Sequence, residues 1–162
     1  MSKWIIFDLD GTLADIEDRR QLCTKENGKM DWDKFFDPKN IKLDKPNQPV
    51  IDTLSAFAES GHCIAIMSGR SAATKDVTED WLIDNGCCHE VLFMRPEKDF
   101  TPDEDLKLKW FNELFINDGI AEHAPYQESP NELVAVFDDR QKVVDMWREI
   151  GLTCMQVAPG KF

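Results

Sequence analysis

The chain has 162 residues, of which 42% are hydrophobic and 31% charged, and its formal net charge is −12. This length fits one domain better than two, and the composition is ordinary for a soluble globular protein. The acidic balance repels polyanions at long range, which argues against a dedicated nucleic-acid-binding protein. No apolar run could cross a bilayer and the N-terminal one is too short for a signal peptide, so we expect a cytoplasmic protein without membrane contact.

The charge distribution indicates where an anionic ligand could bind, and the cysteine pattern indicates the state of the thiols. Residues 15–45 hold eight acidic and eight basic side chains, so the rest of the chain carries the whole net charge of −12. A phosphorylated ligand would therefore meet least repulsion near that segment. The five cysteines are odd in number and lack CxxC or Cys/His metal-ligand spacing, which indicates reduced thiols.

Five short apolar runs predict the strands of the fold, in chain order Trp4–Phe7, Cys63–Met67, Val91–Met94, Leu133–Phe137 and Cys154–Val157. Each run is continuous rather than alternating, which is typical of strands buried on both faces of a parallel sheet. Apolar residues at helical spacing lie between them: Val50, Leu54 and Phe57, then Leu106, Trp110 and Leu114, then Val143, Trp147 and Ile150. This order predicts an α/β fold with a Rossmann-like, doubly wound parallel sheet.

One segment interrupts the alternation of strands and helices. Residues 14–45 separate the first strand from its helix and are too long for an ordinary loop, which predicts a small cap or lid inserted into a single domain over 1–162. Its aromatic residues Trp32, Phe35 and Phe36 favour a small core that holds the insert together over a base-stacking surface. Residues 117–131 predict a second polar loop.

Polar residues follow three of the predicted strands. They are Asp8-Leu9-Asp10-Gly11-Thr12, Ser68-Gly69-Arg70 and Asp138-Asp139. The carboxyl ends of parallel strands meet at one edge of a sheet, so these side chains should converge there. Carboxylates held this close repel one another unless a cation lies among them, and an all-oxygen set suits Mg²⁺.

Two simpler interpretations exist for these acidic residues. A single aspartate after a strand is commonly a helix cap or a turn residue, which could explain Asp8 or Asp139 alone but not two separate acidic pairs. The second interpretation is a calcium-binding loop. The spacing Asp8-x-Asp10 fits such a loop, but Gly11 occupies position 4 rather than 6 and Arg19 stands where the bidentate glutamate is required.

The polar motifs together resemble the haloacid dehalogenase (HAD) superfamily of phosphatases. Phe7-Asp8-Leu9-Asp10-Gly11-Thr12-Leu13 resembles its first motif and Ser68-Gly69-Arg70 its second. Lys107 falls where the third-motif lysine is expected, and Asp138-Asp139 resembles the fourth motif. All four occur in order over residues 4–140, a far more specific pattern than a lone DxD. The resemblance implies the HAD fold with a small cap insert after the first strand.

The C-terminal part carries a narrower resemblance. Residues 136–148, Gly151 and residues 156–162 look like the end of the 3′-phosphatase domains of bacteriophage polynucleotide kinases. The similarity covers most of the chain and is loose through the insert. The chain contains no GxxxxGK[ST] phosphate-binding loop, so we expect no kinase half within it.

The HAD resemblance also implies a role for each motif residue. Asp8 would attack phosphorus and form an aspartyl-phosphate, and Asp10 would protonate the leaving alkoxide and then deprotonate the hydrolytic water. Mg²⁺, Lys107 and Arg70 would mask the phosphate charge. The implied substrate- and phosphate-binding residues are Thr12, Ser68, Gly69 and Arg70, with Thr12 also orienting Asp10. The implied magnesium ligands are Asp8, the Asp10 carbonyl, Asp138 and Asp139, and which of the acidic pair binds directly stays open.

Several of these residues have an alternative explanation. Spacing alone would make Lys107 a solvated helix residue beside Lys109, and Arg70 could merely begin a helix. Arg95, just after the third strand, could clamp a substrate phosphodiester or have only a surface role, and both remain open. Arg140 could simply neutralise the acidic pair.

The expected function follows from the resemblance. The leading hypothesis is a magnesium-dependent phosphatase that removes a 3′-phosphate from DNA or RNA ends. The alternative is a phosphatase of nucleotides or small phosphorylated metabolites, which the acidic charge favours. A hypothesis from another class is a phosphoacceptor signalling domain, from which Asp10 would distinguish the chain because it permits turnover. A phosphorylated substrate is the expected partner, and no obligate protein partner is evident.

Overall fold

The computed structural model describes residues 2–116 and 131–160. The strands are β1 (Ser2–Phe7), β2 (Ala14–Asp15), β3 (Lys45–Pro46), β4 (Cys63–Ser71), β5 (Val91–Arg95), β6 (Asn131–Arg140) and β7 (Cys154–Gly160). The helices are α1 (Glu17–Cys23), α2 (Trp32–Phe35), α3 (Pro38–Ile41), α4 (Gln48–Glu59), α5 (Lys75–Asp84), α6 (Asp103–Phe115) and α7 (Gln141–Glu149), with a short 3₁₀ turn at Ala72–Thr74. The residues 117–130 of the predicted polar loop lie outside the described residues.

The main sheet has the strand order β5-β4-β1-β6-β7, and all four neighbouring pairs are parallel. Successive residues of β1 enter opposite apolar clusters, because side chains alternate between the two faces of a sheet. Ile5 and Phe7 belong to one cluster, and Trp4 and Ile6 belong to the other. The first cluster includes buried residues of α4 and α5, and the second includes those of α6 and α7. Helices therefore cover both faces, which confirms the predicted doubly wound α/β fold.

Two strands extend beyond the apolar runs that predicted them. Strand β4 continues past Met67 to Ser71, and β6 continues past Phe137 to Arg140. The motifs predicted to follow these strands thus form their last residues. Pairing is irregular there, since the register shifts between Ser68 and Ser71 and between Asp138 and Arg140. These irregular ends turn polar groups towards the carboxyl edge of the sheet, where apolar periodicity gives no signal.

The inserted segment is built from β2, α1, α2, α3 and β3. Strands β2 and β3 pair antiparallel and bring its two ends together. Buried Cys23 and Phe35 join the same cluster as Ile5 and Phe7. The three insert rings contact one another as expected, but Trp32 is 60% exposed. The aromatic group is thus an edge of the main core rather than a separate small core.

Two of the predicted helical stripes differ in detail from the structure. Helix α7 ends at Glu149, which leaves Ile150 outside the helix and 42% exposed. On α6 the buried residues are Leu106, Lys107, Trp110, Phe111 and Phe115, so the stripe includes a lysine. No helix within 2–116 or 131–160 is both long and apolar enough to span a membrane.

The neighbouring residues Leu82 and Ile83 on α5 provide a matched test of this core. Leu82 is fully buried, whereas Ile83 is 72% exposed. We expect Leu82→Ala to lower the free energy of unfolding by about 2–5 kcal/mol, because it leaves a cavity beside β4. Ile83→Ala should change it by no more than about 0.5 kcal/mol. Urea unfolding of both variants measures the difference, and equal losses would contradict the burial of this helix face.

Candidate active site

A buried lysine joins two of the polar motifs. The Nζ atom of Lys107 donates to Asp8 Oδ1 at 2.7 Å and to Asp138 Oδ2 at 2.7 Å. All three residues are buried, with Lys107 only 3% exposed. The helical spacing suggested a solvated lysine, but the first turns of α6 lie over the carboxyl edge of the sheet and carry this side chain inwards.

Asp139 completes a cluster of three carboxylates. One oxygen each from Asp8, Asp138 and Asp139 can lie within 4.8 Å of one another. Three ionised carboxylates with the single ammonium of Lys107 leave a formal charge of −2. Buried charge of that size is costly unless a cation compensates it. A divalent cation with oxygen ligands would balance the cluster, and the donor set fits Mg²⁺.

The pKa values reflect this crowding. Burial, followed by the charges of Asp138 and Asp139, raises the pKa of Asp8 well above its usual value, although Lys107 opposes the change. Burial and the charge of Asp138 raise the pKa of Asp139 to about 6. The pKa of Lys107 is raised too, since Asp138 and Asp8 outweigh its burial. A bound cation would favour the charged form of each carboxylate.

Backbone groups hold the remaining oxygen of Asp138. Its Oδ1 accepts hydrogen bonds from the amides of Asp139, at 2.9 Å, and Arg140, at 3.2 Å. These amides belong to the last two residues of β6, directly before α7 begins at Gln141. The backbone of Gly11 turns with φ +85°, and a Cβ there would overlap the carboxylate of Asp139. The first and fourth motifs therefore touch where only glycine fits.

Asp10 belongs to a second charged group, separate from the carboxylate cluster. Its Oδ1 accepts from Arg19 Nη2 at 2.9 Å, from Arg70 Nε at 2.8 Å and from Arg70 Nη2 at 2.5 Å. Asp44 accepts from the same two arginines, at 2.9 Å from Arg19 Nε and at 2.7 Å from Arg70 Nη2. Two arginines and two aspartates thus form a quartet that is neutral when all four are ionised. Arg19, Arg70 and Asp44 are buried, and Asp10 is partly exposed.

The two carboxyls of the quartet titrate differently. Burial acts to raise the pKa of Asp10, but Arg70 and Arg19 outweigh it and hold that pKa below its usual value. Burial dominates at Asp44 and raises its pKa to about 7 despite the same arginines. The pKa of Arg70 is raised, because Asp10 and Asp44 together outweigh its burial. At neutral pH the quartet therefore keeps Asp10 ionised.

Sequence reasoning missed Arg19 and Asp44, both from the insert. The sequence motifs mark Arg19 only as a mismatch to a calcium loop and do not mark Asp44. Their neighbours Asp18, Arg20 and Lys45 are polar, so apolar periodicity gives no sign that the two residues are buried. The one available signal was the balanced charge of residues 15–45 in an otherwise acidic chain. It pointed to the segment but not to these positions.

Two of the residues assigned to the phosphate have other contacts in the structure. The Thr12 hydroxyl donates to Asp8 Oδ2 at 3.2 Å, so it orients Asp8 rather than Asp10. Arg70 is 1% exposed, and its guanidinium contacts Asp10, Asp44 and the Thr78 hydroxyl. Both differences arise because the side chains of the DxD pair diverge, one towards Lys107 and one towards the insert.

The other phosphate candidates lie at the rim of the site. The buried Ser68 hydroxyl accepts from the amide of Arg70 at 3.2 Å. Arg95 donates from Nε to the Gly69 carbonyl at 3.1 Å and from Nη2 to Asp103. Asp103 also accepts from Arg140, and it lies so close to Gly69 that a Cβ there would come within 2.9 Å of its Oδ1. Arg95 therefore braces the rim through internal contacts.

Comparison with known proteins agrees with the motif-based resemblance. The family described as "Polynucleotide kinase PNKP phosphatase domain" matches residues 2–162. The chain belongs to this family. It is therefore a HAD-type phosphatase related to the phosphatase domains of polynucleotide kinases, which confirms the family and the enzyme class inferred from the sequence.

Individual relatives agree. A protein of Autographa californica nuclear polyhedrosis virus, provisionally named bifunctional polynucleotide kinase/RNA ligase, is 32% identical over 149 residues, which are 90% of this chain and 18% of that protein. A chain in the structure of the Pnkp1/Rnl/Hen1 RNA repair complex has a TM-score of 0.73 and 29% identity, covering 99% of this chain and 44% of that chain. A HAD-like hydrolase from Streptococcus pneumoniae shares the fold, with a TM-score of 0.66, 16% identity and coverage of 96% and 84%. The chain thus spans less than half the length of the first two relatives.

The quartet makes stability depend on pH through Asp44. Its pKa in the folded protein, about 7, lies above the ordinary value of 3.8, so the folded state holds the proton more tightly. The resulting stabilisation is complete below pH ~4 and is lost as the pH rises through about 7. We expect the free energy of unfolding of the wild type, relative to Asp44→Asn, to fall between pH 5 and pH 7. Urea unfolding across this range measures it. A wild-type advantage that grew with pH would show that the arginines keep Asp44 ionised instead.

Proposed function

We propose that this phosphatase is magnesium-dependent, acts through an aspartyl-phosphate on Asp8, and removes a terminal 3′-phosphate from nucleic-acid ends. The observation that carries the mechanism is the shared ammonium of Lys107, which lies at 2.7 Å from both Asp8 and Asp138 inside a cluster with a formal charge of −2. The family match and the names of the relatives support the substrate class.

Asp8, Asp138 and Asp139 would hold the metal, and the Asp10 carbonyl is proposed as a further ligand. The ion would supply positive charge that balances the carboxylates and the bound phosphate. The arrangement of Lys107 supports the same purpose, because its ammonium can neutralise a phosphate oxygen while it stays bonded to Asp8. Thr12, bonded to the other oxygen of Asp8, would fix the attacking carboxylate in one orientation.

Asp8 acts as the nucleophile in this proposal. Its carboxylate oxygen attacks phosphorus, and the bond between phosphorus and the leaving 3′-oxygen breaks. The Ser68 hydroxyl and the Gly69 amide bind the transferring phosphoryl oxygens at the carboxyl end of β4. Water then attacks the aspartyl-phosphate, which releases inorganic phosphate and restores the Asp8 carboxylate.

Asp10 is the general acid and base. All three hydrogen bonds recorded for its carboxylate meet Oδ1, so proton transfer is assigned to Oδ2. The ionised form favoured by Arg19 and Arg70 suits activation of the hydrolytic water. The negative charge of a bound phosphate opposes these arginines and raises the proton affinity of the carboxylate, as the protonation of the leaving alkoxide requires.

The insert contributes to the chemistry through Arg19 and Asp44. We assign Arg19 and Arg70 as positioning residues that act through Asp10, because their guanidinium groups contact that carboxylate and Asp44. The cap is therefore proposed as part of the catalytic apparatus rather than a removable lid. Arg95 stays a candidate clamp for a substrate phosphodiester, and its guanidinium is held by Gly69 and Asp103 at the edge of the site.

Substitution of the DxD pair tests the mechanism. We expect Asp8→Asn and Asp10→Asn each to reduce kcat by at least about 1,000-fold, because one removes the nucleophile and the other the proton-transfer group. Phosphate release with added MgCl₂ and with EDTA measures the effect, and thermal unfolding checks the fold. Near-normal turnover by either variant, or by the wild type in EDTA, would refute the assignment. Stable phosphorylation of wild-type Asp8 without phosphate release would favour a signalling domain.

A comparison of three substrates tests the specificity. The substrates are a 3′-phosphorylated oligonucleotide, a 3′-mononucleotide and a 5′-mononucleotide. We expect the highest kcat/KM for the oligonucleotide, because contacts beyond the reacting group add binding energy. Much faster turnover of both mononucleotides would show that small phosphorylated metabolites are the substrates, as the net charge of −12 favours.

A further inference from the structure

An exposed aromatic ring belongs to a loop that Arg95 links to the backbone of the proposed phosphate site. Phe100 is 91% exposed, the highest value among the large apolar side chains of the described residues. It belongs to the segment 96–102, which connects the end of β5 to α6 at the carboxyl edge of the sheet. Single exposed apolar residues are common on protein surfaces, so exposure alone means little. Phe100 differs from such residues in two respects: its segment is linked to Gly69, and internal hydrogen bonds hold the segment in one conformation.

A single guanidinium group connects this segment to the phosphate site. Arg95 donates from Nη1 to the Thr101 carbonyl at 2.5 Å, directly after Phe100 in the chain. The same side chain donates from Nε to the Gly69 carbonyl at 3.1 Å. The backbone that carries Phe100 is thus separated by one planar group from the backbone assigned to the phosphoryl oxygens.

Internal hydrogen bonds fix the conformation of the segment. Arg95 Nη1 also donates to the Asp99 carbonyl at 3.2 Å, and the Thr101 amide donates to Asp99 Oδ1 at 2.9 Å. The Asp99 amide donates to the Pro96 carbonyl at 3.2 Å, which closes a turn through Lys98 with φ 60°. The ring is therefore presented on an ordered loop, so little conformational entropy is lost when a ligand packs against it.

We propose that Phe100 stacks on the nucleobase of the terminal nucleotide, the one that bears the 3′-phosphate. One sugar ring joins that base to its phosphate, so a phosphate at Ser68 and Gly69 brings the base to the rim where Phe100 lies. Stacking is independent of charge and tolerates any base, because every base has a π face. It gives affinity for a polyanion to a chain with a net charge of −12. This inference rests on the proposed function.

Trp32, the other strongly exposed ring, is less suited to this role. Its ring is stacked on Phe36 with a centroid distance of 5.9 Å and packs edge-on against Phe35 at 5.6 Å. One of its faces is therefore already covered inside the insert. Within the described residues, no aromatic pair includes Phe100. Its faces remain available for a base.

Two oligonucleotides that differ only in the terminal base test the proposal. Both end in a 3′-phosphate, and in the second the terminal nucleotide is abasic. We expect Phe100→Ala to raise KM for the complete oligonucleotide about 5- to 150-fold, the range of one base–aromatic contact, with kcat changed by less than about 2-fold. KM for the abasic oligonucleotide should stay unchanged, and the wild type should bind it more weakly than the complete one.

Further variants distinguish base stacking from simple apolar contact and from a loss of protein stability. Phe100→Trp should restore the low KM because it keeps a π face, whereas Phe100→Leu should behave like Phe100→Ala. Ile83→Ala, which removes another exposed apolar side chain, should leave both substrates unaffected. Thermal unfolding should be the same for all Phe100 variants. An equal change in KM for both oligonucleotides, or none for either, would overturn the proposal.

The experiment also separates this inference from the proposed function. If the wild type releases no phosphate from either oligonucleotide, the polynucleotide specificity is wrong. A 3′-mononucleotide and ribose 3-phosphate then replace the pair. A base-dependent effect of Phe100→Ala on these substrates would support the stacking role without a polynucleotide. Equal effects on both, or no turnover of either, would overturn it.

Discussion

The buried ammonium of Lys107 is the contact on which the site depends. It holds Asp8, which directly follows β1, and Asp138, near the end of β6, at hydrogen-bond distance, and thereby fixes α6 against the carboxyl edge of the sheet. One ammonium cannot balance three carboxylates, so the cluster keeps a formal charge of −2. The same imbalance that makes the site costly to bury makes it receptive to a divalent cation and to the phosphate that such a cation can neutralise.

Asp8 and Asp10 are only two residues apart, but they belong to different electrostatic environments. Asp8 lies among like charges, and its pKa is raised by burial and by Asp138 and Asp139. Asp10 is held between Arg70 of the sheet and Arg19 of the insert, and its pKa is lowered. Environments this different allow two neighbouring carboxyls to have distinct chemical roles. The divergence of the two side chains creates this difference.

The insert contributes both to the apolar core and to the charged groups of the site. Through Phe35 it joins the apolar cluster that includes Ile5 and Phe7. It also supplies Arg19 and Asp44 to the quartet. The removal of one member would leave a buried charge without its partner, a change that commonly costs about 3–5 kcal/mol. Folding of the insert and orientation of Asp10 are therefore coupled. Arg95 and Asp103 brace the backbone at Gly69, and Arg95 also holds the loop that carries Phe100.

The sequence by itself determined the fold class, the strand order along the chain and the family. Continuous apolar runs report strands buried on both faces, and the four ordered motifs are specific enough to identify HAD phosphatases. Only the tertiary structure decided the partners of the polar side chains. Lys107 has the spacing of a solvated residue yet is buried, Thr12 orients Asp8, and Arg70 pairs with Asp44 of the insert. Apolar periodicity reports burial but not charge pairing, because a buried ion pair depends on residues that are distant in the chain and meet only after folding.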